Sequence, residues 1–82
     1  MEIKILGKES TKRNYLLDII KAAIFELGFD LKIICIEEEV MFKNYNIKQT
    51  PALIINERII FEGHVPRITE IKNVIKKFMQ NN

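Results

Sequence analysis

The spacing of apolar residues changes several times along this chain of 82 residues, and these changes constrain its fold more than any other feature. Apolar and polar residues alternate in residues 3–6, apolar residues recur at helical spacing in residues 16–27, and they run almost without interruption through residues 31–36. Alternation is typical of a strand, helical spacing of an amphipathic helix, and a continuous β-branched run of a strand covered on both faces. The long first crossover requires parallel strands and a right-handed connection.

Residues at the ends of the first predicted helix support this interpretation. Ser10 or Thr11 can cap its N-terminus, because a hydroxyl oxygen can accept an amide of the first turn that has no helical partner. Gly28 can end the helix, because glycine readily adopts the left-handed conformation of a C-cap. The first helix is therefore expected to fill most of the segment between these residues.

The second half of the chain predicts a short helix, a hairpin and a longer final helix. Residues 37–39 are glutamates, which the helix dipole favours at the start of a helix, and this helix is expected to end near Asn46. Residues 52–55 and 58–61, which are apolar apart from Arg58, are predicted strands with so short a link that they must form an antiparallel hairpin. A last helix is expected from about residue 67 to residue 79. The predicted order is β-α-β-α-β-β-α.

Composition narrows the class of protein. Hydrophobic residues make up 48% of the chain, enough for the packed core of a single domain over residues 1–82. Thirteen basic and eleven acidic residues leave a formal net charge of +2, too small to indicate nucleic acid or an anionic membrane as partner. The chain shows no transmembrane-length apolar segment and no signal-peptide pattern. We therefore expect a cytoplasmic protein, monomeric rather than dimeric, that binds neither nucleic acid nor a membrane.

Cys35 is the only cysteine of the chain. It can close no internal disulfide, and it can hold no cysteine-based metal site without ligands from elsewhere. Because it lies in an apolar run, we expect a buried thiol that packs as a small hydrophobic side chain. His64 has no metal-ligating partner at a suitable spacing and is expected in a surface loop. We expect neither a metal nor a cofactor.

The segment Gln49-Thr50-Pro51-Ala52 stands immediately before a predicted strand, where a proline is tolerated because its missing amide is not needed. With this segment, the chain resembles the thioredoxin superfamily, most closely the minimal thioredoxin-like and glutaredoxin-like proteins that lack the first strand and helix. The resemblance covers essentially the whole chain. The segments that carry it are residues 3–7, 26–30, 50–56 and 63–66.

The resemblance implies an α/β, thioredoxin-like fold with a four-stranded mixed sheet. If the predicted strands are numbered β1 (residues 3–6), β2 (31–36), β3 (52–55) and β4 (58–61), the implied order in the sheet is β2-β1-β3-β4. The first and last helices are expected on one face and the middle helix on the other. The resemblance also implies a cis Thr50–Pro51 peptide bond, in a loop that faces the active site.

The chain departs from the redox members of that superfamily at one motif. Those members carry Cys-x-x-Cys at the N-terminus of the first helix, where the helix dipole lowers the pKa of the first thiol. The matching positions here read Ser10-Thr11-Lys12-Arg13, a degenerate motif in which Ser10 replaces the nucleophilic cysteine and Arg13 the resolving one. A helix dipole alone does not ionise a serine hydroxyl. We therefore expect a redox-inactive binding or interaction module rather than an enzyme.

The predicted ligand groove lies between the N-terminus of the first helix and the Thr50–Pro51 loop. Free amides and cations in the first turn of the helix favour an anion there, so a small anionic molecule or an extended peptide of a protein partner is expected. By resemblance, Thr50 offers backbone hydrogen bonds to that peptide or to glutathione. The alternative for Ser10 is that it caps the helix and binds no ligand. The candidate ligand-binding residues are Ser10, Thr11, Lys12, Arg13, Lys48, Thr50 and Pro51.

Two alternatives remain open. One is a thiol-disulfide oxidoreductase, which would need thiols from a partner or from Cys35. Turnover of a small disulfide, abolished by Cys35→Ala, would favour the thiol of Cys35. The other is a structural subunit that dimerises through the exposed edge at residues 58–61, which a concentration-independent monomer mass would exclude.

Overall fold

Strands and helices follow one another in the predicted order in the computed structural model, which describes residues 1–80. The strands form one sheet in the order β2-β1-β3-β4. Strands β1 and β2 are parallel, whereas β3 is antiparallel to both β1 and β4. The predicted thioredoxin-like α/β topology is thus confirmed. The elements are β1 (Ile3–Leu6), α1 (Thr11–Leu27), β2 (Ile33–Ile36), α2 (Glu39–Asn44), β3 (Ala52–Ile55), β4 (Arg58–Glu62) and α3 (Ile68–Gln80).

The larger core lies between the sheet and the helices α1 and α3. Ile3 and Ile5 of β1 face this side, because alternate residues of a strand point to opposite faces of the sheet. The helical spacing that predicts α1 places its buried row on the same side. The buried side chains that the two helices contribute are Leu16, Ile20, Ala23, Ile24, Ile71 and Ile75.

The smaller core lies on the opposite face of the sheet. Leu6, Ala52 and Ile54 are fully buried there, and the partly buried side chains of Phe42 and Tyr45 pack over them. Helix α2 has no fully buried residue of its own. This thin layer positions α2 beside the loop that leads to Pro51.

Helix α2 is shorter than the predicted segment of residues 37–46. Glu38 is extended and precedes the helix as its N-cap, without a side-chain capping bond. Asn46 has a φ of 60°, in the left-handed region, so the helix cannot continue through it. Helix α1, by contrast, ends as predicted at Gly28, whose φ is 74°.

The prediction that β2 is covered on both faces and that its cysteine is buried is wrong. The strand comprises Ile33–Ile36 and lies at the edge of the sheet, paired with β1 alone. Both Ile34 and Cys35 are exposed. A run of β-branched residues indicates a strand, but it does not distinguish a central strand from an edge strand whose outer part no helix covers.

Candidate functional site

The N-terminus of α1 forms the first side of the site. Ser10 is extended, and its Oγ accepts the amide of Arg13 at 3.1 Å. Its carbonyl oxygen accepts the amide of Asn14 at 2.9 Å. Ser10 is therefore the helix cap, as one prediction for this residue has it. The amides of Thr11 and Lys12 remain at the open end of the helix.

The Thr50–Pro51 loop forms the second side. Its peptide bond is cis, as the resemblance implies. The Glu62 carboxylate holds the preceding chain, because its Oε1 accepts the amides of Lys48 at 2.8 Å and Gln49 at 3.3 Å. Thr50 itself is exposed, and its backbone amide and carbonyl have no hydrogen-bond partner within residues 1–80. An incoming chain can therefore pair with Thr50.

A glycine turn joins the two sides. The carbonyl oxygen of Pro51 accepts the amide of Gly63 at 2.9 Å, and the carbonyl oxygen of Gly63 accepts the Lys12 ammonium at 2.6 Å. Gly63 has a φ of 77°, and a Cβ at this position would lie 2.0 Å from the Oε1 of Gln49. Both restrictions favour glycine at this position. Lys12 thus fixes α1 to the loop.

Arg13 differs from the exposed cation that the sequence predicts in the groove wall. Its side chain is only 7% exposed, and its Nε is buried without a hydrogen-bond partner. A Cβ on Gly7 would lie 3.4 Å from the Cγ of Arg13, 3.4 Å from the Cα of Pro51 and 3.5 Å from the Cβ of Thr50. The aliphatic part of the side chain therefore packs beside Gly7 and the loop. It does so because the third residue of α1 faces inward.

An open cavity of about 470 Å³ lies between the start of α1, the loop and α2. Ser10, Lys48 and Thr50 of the predicted site line it, whereas Thr11, Lys12, Arg13 and Pro51 do not. The sequence analysis missed the contribution of α2, for which the apolar Phe42 on a short helix is the only signal. The remaining lining residues are Lys8, Glu9, Glu39, Phe42, Lys43 and Ile47.

Two residues that line this cavity form an ion pair. The Nζ of Lys8 lies 2.9 Å from the Oε1 of Glu39, and both side chains are exposed. The hydrogen bond from Lys8, with its charge, lowers the pKa of the Glu39 carboxyl. Exposed pairs of this kind contribute little to stability, so a ligand can displace the pair at small cost.

A second polar cluster lies on the α2 side of the sheet. The Nζ of Lys4 donates hydrogen bonds to the Tyr45 hydroxyl and, at 2.8 Å, to the Glu57 carboxylate, and it lies 3.2 Å from Glu2. The bond to Glu57 is the main reason why the pKa of Lys4 is raised, and the bond from Lys4 lowers the pKa of the Glu57 carboxyl. This cluster ties the end of α2 to the β3–β4 turn and has a structural role.

Cys35 and His64 lie outside the cavity. Cys35 pairs in register with Ile5, so it faces the α1 side of the sheet, where it is exposed. His64 is exposed in the turn after β4, as predicted, with its ring edge-on to Phe61 at 5.2 Å. Within residues 1–80, no three metal-ligating side chains come together, and no helix is long and apolar enough to cross a membrane.

Comparison with known proteins assigns the family. The family model described as "Thioredoxin domain" matches residues 1–76. The chain belongs to the thioredoxin family. A thioredoxin of Methanocaldococcus jannaschii is 30% identical over 78 residues, which are 95% of this chain and 90% of that protein. Thioredoxin 1 of Thermosipho africanus has the same fold, with a TM-score of 0.66 at 20% identity, over 98% of this chain and 96% of the other.

These matches correct the functional prediction. The expectation of a redox-inactive binding module is wrong, because the family match and the thioredoxin name of the relative that is 30% identical support a function like that of a thiol-disulfide oxidoreductase. The prediction took the absence of cysteines from residues 10 and 13 as the absence of redox function. That step fails because the thiols of an exchange reaction can come from more than one molecule.

Proposed function

We propose that this thioredoxin family member promotes thiol-disulfide exchange by holding a disulfide-bearing peptide in the cavity while a partner protein supplies the attacking thiol. The observation that carries the proposal is the open backbone of exposed Thr50, which lines the same cavity as Ser10. An extended peptide can add to Thr50 as a strand adds to a sheet edge.

Atoms and electrons balance in this exchange although this chain supplies no thiol. A thiolate of the partner attacks one sulfur of the bound disulfide, the S–S bond breaks, and the second sulfur leaves with the electron pair and takes up a proton. A second thiol of the partner then displaces the first sulfur of the substrate and closes the partner's own disulfide. The substrate gains two electrons and the partner dithiol loses them. With glutathione as the partner, one molecule forms the mixed disulfide and a second molecule displaces the substrate sulfur, so that glutathione disulfide forms in a glutaredoxin-like reaction.

The contribution of the chain is positioning. The Glu62 carboxylate and the Lys12–Gly63 hydrogen bond hold the loop and the helix start on either side of the bound peptide. Orienting two reactants in this way raises the rate of a reaction between them. We propose the cytoplasm as the compartment, because thiols are kept reduced there.

The test is the reduction of a synthetic peptide with one disulfide by dithiothreitol, which serves as the partner dithiol. The wild-type chain and Cys35→Ser should accelerate this reduction equally. Thr50→Tyr should abolish the acceleration because the larger side chain occupies the part of the cavity beside the backbone of residue 50, where the peptide would pair. Thr69→Tyr, a matched change at another exposed threonine, should keep it.

Each contrary outcome has a definite meaning. If Cys35→Ser loses the acceleration, the thiol belongs to this chain and the partner-thiol mechanism is wrong. If the wild-type chain gives no acceleration, the proposed function is overturned. If both tyrosine variants are equally impaired, the cavity beside Thr50 is not the site.

A further inference from the structure

The outer edge of β2 presents backbone groups that no other strand of residues 1–80 uses. Strand β2 pairs with β1 alone, and the carbonyl oxygen of Ile36 accepts the amide of Gly7 at 2.9 Å, so the backbone groups of Ile36 point towards β1. Along a strand, the backbone groups of successive residues point alternately to one side and to the other. The amides and carbonyls of Ile33 and Cys35 therefore point outward, where a further strand can pair with them.

The side chains along this edge have a charge at each end and an apolar centre. Lys32, just before the strand, is exposed and forms no ion pair within residues 1–80. Ile34 is 36% exposed. Glu38, after the strand, is exposed and extended, with φ −77° and ψ 125°, and its Oε2 accepts the neighbouring amide of Glu37 at 3.2 Å. The open edge thus runs from a lysine to a glutamate.

This edge is complementary to itself in one antiparallel register. Antiparallel strands place opposite each other residues whose backbone groups both point into the pair or both point away from it. Odd-numbered residues of β2 must therefore face odd-numbered residues of a second copy. Among the registers that pair β2 with β2, only the one that places Cys35 opposite Cys35 also places Lys32 directly opposite Glu38. The same register places Ile34 opposite Ile36.

We propose that β2 pairs antiparallel with β2 of a second copy of this chain, so that the two sheets of four strands become one sheet of eight. A two-fold axis makes each contact occur twice, and Lys32 meets Glu38 in both directions. Opposite charges and apolar side chains that face each other across two strands stabilise their pairing. An edge lysine discourages pairing with other strands, so its match to Glu38 favours a second copy over an unrelated strand.

The proposed interface is separate from the peptide site. It lies at the opposite edge of the sheet from residues 58–61, and none of residues 32–38 lines the cavity beside Thr50. A dimer of this kind has two cavities, one on each copy. The inference does not rest on the proposed function, and each can fail without the other.

Sedimentation equilibrium over a series of concentrations tests the dimer. The mass of the wild-type chain should rise with concentration towards twice that of the monomer. Lys32→Glu and Glu38→Lys each place like charges opposite each other at two symmetric positions, so each should raise the dissociation constant by about tenfold or more. Lys76→Glu makes the same change of charge at an exposed lysine of α3 and should leave the dissociation constant unchanged.

A mixture of the two variants tests the register. When Lys32→Glu and Glu38→Lys are combined in equal amounts, opposite charges face each other at both positions of the mixed dimer. The mixture should therefore dimerise at concentrations at which each variant alone is a monomer. Recovery on mixing also shows that both variants are folded, because a misfolded chain could not provide the edge.

Cross-linking locates the interface at β2. A short bismaleimide should join Cys35 of one copy to Cys35 of the other in the wild-type chain and in the mixture, and not in either variant alone. A wild-type chain that stays monomeric at every concentration would overturn the proposal. So would a dimer that Lys32→Glu weakens no more than Lys76→Glu does, or a mixture that fails to dimerise.

Discussion

The Lys12 ammonium donates a 2.6 Å hydrogen bond to the carbonyl oxygen of Gly63, and this bond joins the first turn of α1 to the turn that follows β4. The amide of Gly63 is bonded in turn to the carbonyl oxygen of Pro51 at 2.9 Å. The two sides of the site are therefore linked through one glycine. Their separation is set by these two bonds as well as by the packing of the core below.

Lys12→Met should loosen this link. We expect the free energy of unfolding to fall by about 0.5–1.5 kcal/mol, the usual contribution of one hydrogen bond, and the amide of Gly63 to exchange faster with solvent. Urea unfolding and amide hydrogen exchange measure the two effects. Lys76→Met is the control, an exposed helical lysine that has no hydrogen bond or ion pair within residues 1–80. Equal behaviour of the two variants would show that the bond contributes nothing.

Gly63→Ala and Gly28→Ala form a matched pair. Both glycines have positive φ, of 77° and 74°, so alanine should cost about 1–2 kcal/mol at either position. A Cβ at Gly28 meets no atom within 4 Å, whereas one at Gly63 would lie 2.0 Å from the Oε1 of Gln49. Thermal unfolding should therefore show the larger loss for Gly63→Ala.

A third variant identifies the cause of that difference. Gln49→Ala in the Gly63→Ala background removes the Oε1 and Cδ that clash but keeps the Cβ, which lies 2.9 Å from the new methyl position. We expect a partial recovery of the melting temperature. If the melting temperature of Gly63→Ala equals that of Gly28→Ala, the side chain of Gln49 turns away at no cost.

The order of the elements could be predicted from the chain because each rests on a local pattern. The helical spacing of Leu16 and Ile20, the cap at Ser10 and the stop at Gly28 involve residues close in sequence, and α1 is found where they indicate. The short link between β3 and β4 permits only a hairpin. These features depend on residues close in sequence and not on tertiary contacts, so they can be recognised from a single sequence.

The errors concern residues whose environment depends on distant parts of the chain. Arg13 looks like an exposed cation in the first turn, whereas in the fold it is only 7% exposed and its Cγ packs close to Gly7 and Pro51. Cys35 lies in an apolar run that is equally typical of an edge strand and of a central strand, so its exposure could not be predicted from the run. The cavity wall from Phe42 depends on where α2 packs, which no local pattern determines.

Lowering the pH should reduce the free energy of unfolding, because it protonates the Glu57 carboxylate. The Lys4 ammonium and the Tyr45 hydroxyl, which bond to this carboxylate, lower its pKa below the ordinary value of 4.5 in the folded protein. The unfolded chain therefore binds more protons in this range, and the stability from Glu57 is present above pH 4.5 and is lost as the pH falls through the folded pKa.

Glu57→Gln should remove this part of the pH dependence. In urea unfolding at a series of pH values, the variant should be less stable than the wild-type chain near neutral pH and approach it at low pH. Glu9→Gln is the control, because no hydrogen bond or ion pair of the Glu9 carboxylate is found within residues 1–80. A constant difference between Glu57→Gln and the wild-type chain at every pH would contradict the assignment.

Ser10→Cys combined with Arg13→Cys should form an internal disulfide, measured as the loss of free thiols under mild oxidant in a Cys35→Ser background. The side chain of Ser10 already turns over the first turn of α1, where its Oγ lies 3.1 Å from the amide of Arg13. Asp18→Cys with Lys21→Cys has the same spacing within α1, but helical side chains three apart are about 5–6 Å apart at Cβ, more than a disulfide spans. This control pair should stay reduced. If both pairs oxidise equally, or neither does, the extended conformation of Ser10 does not bring the two positions together.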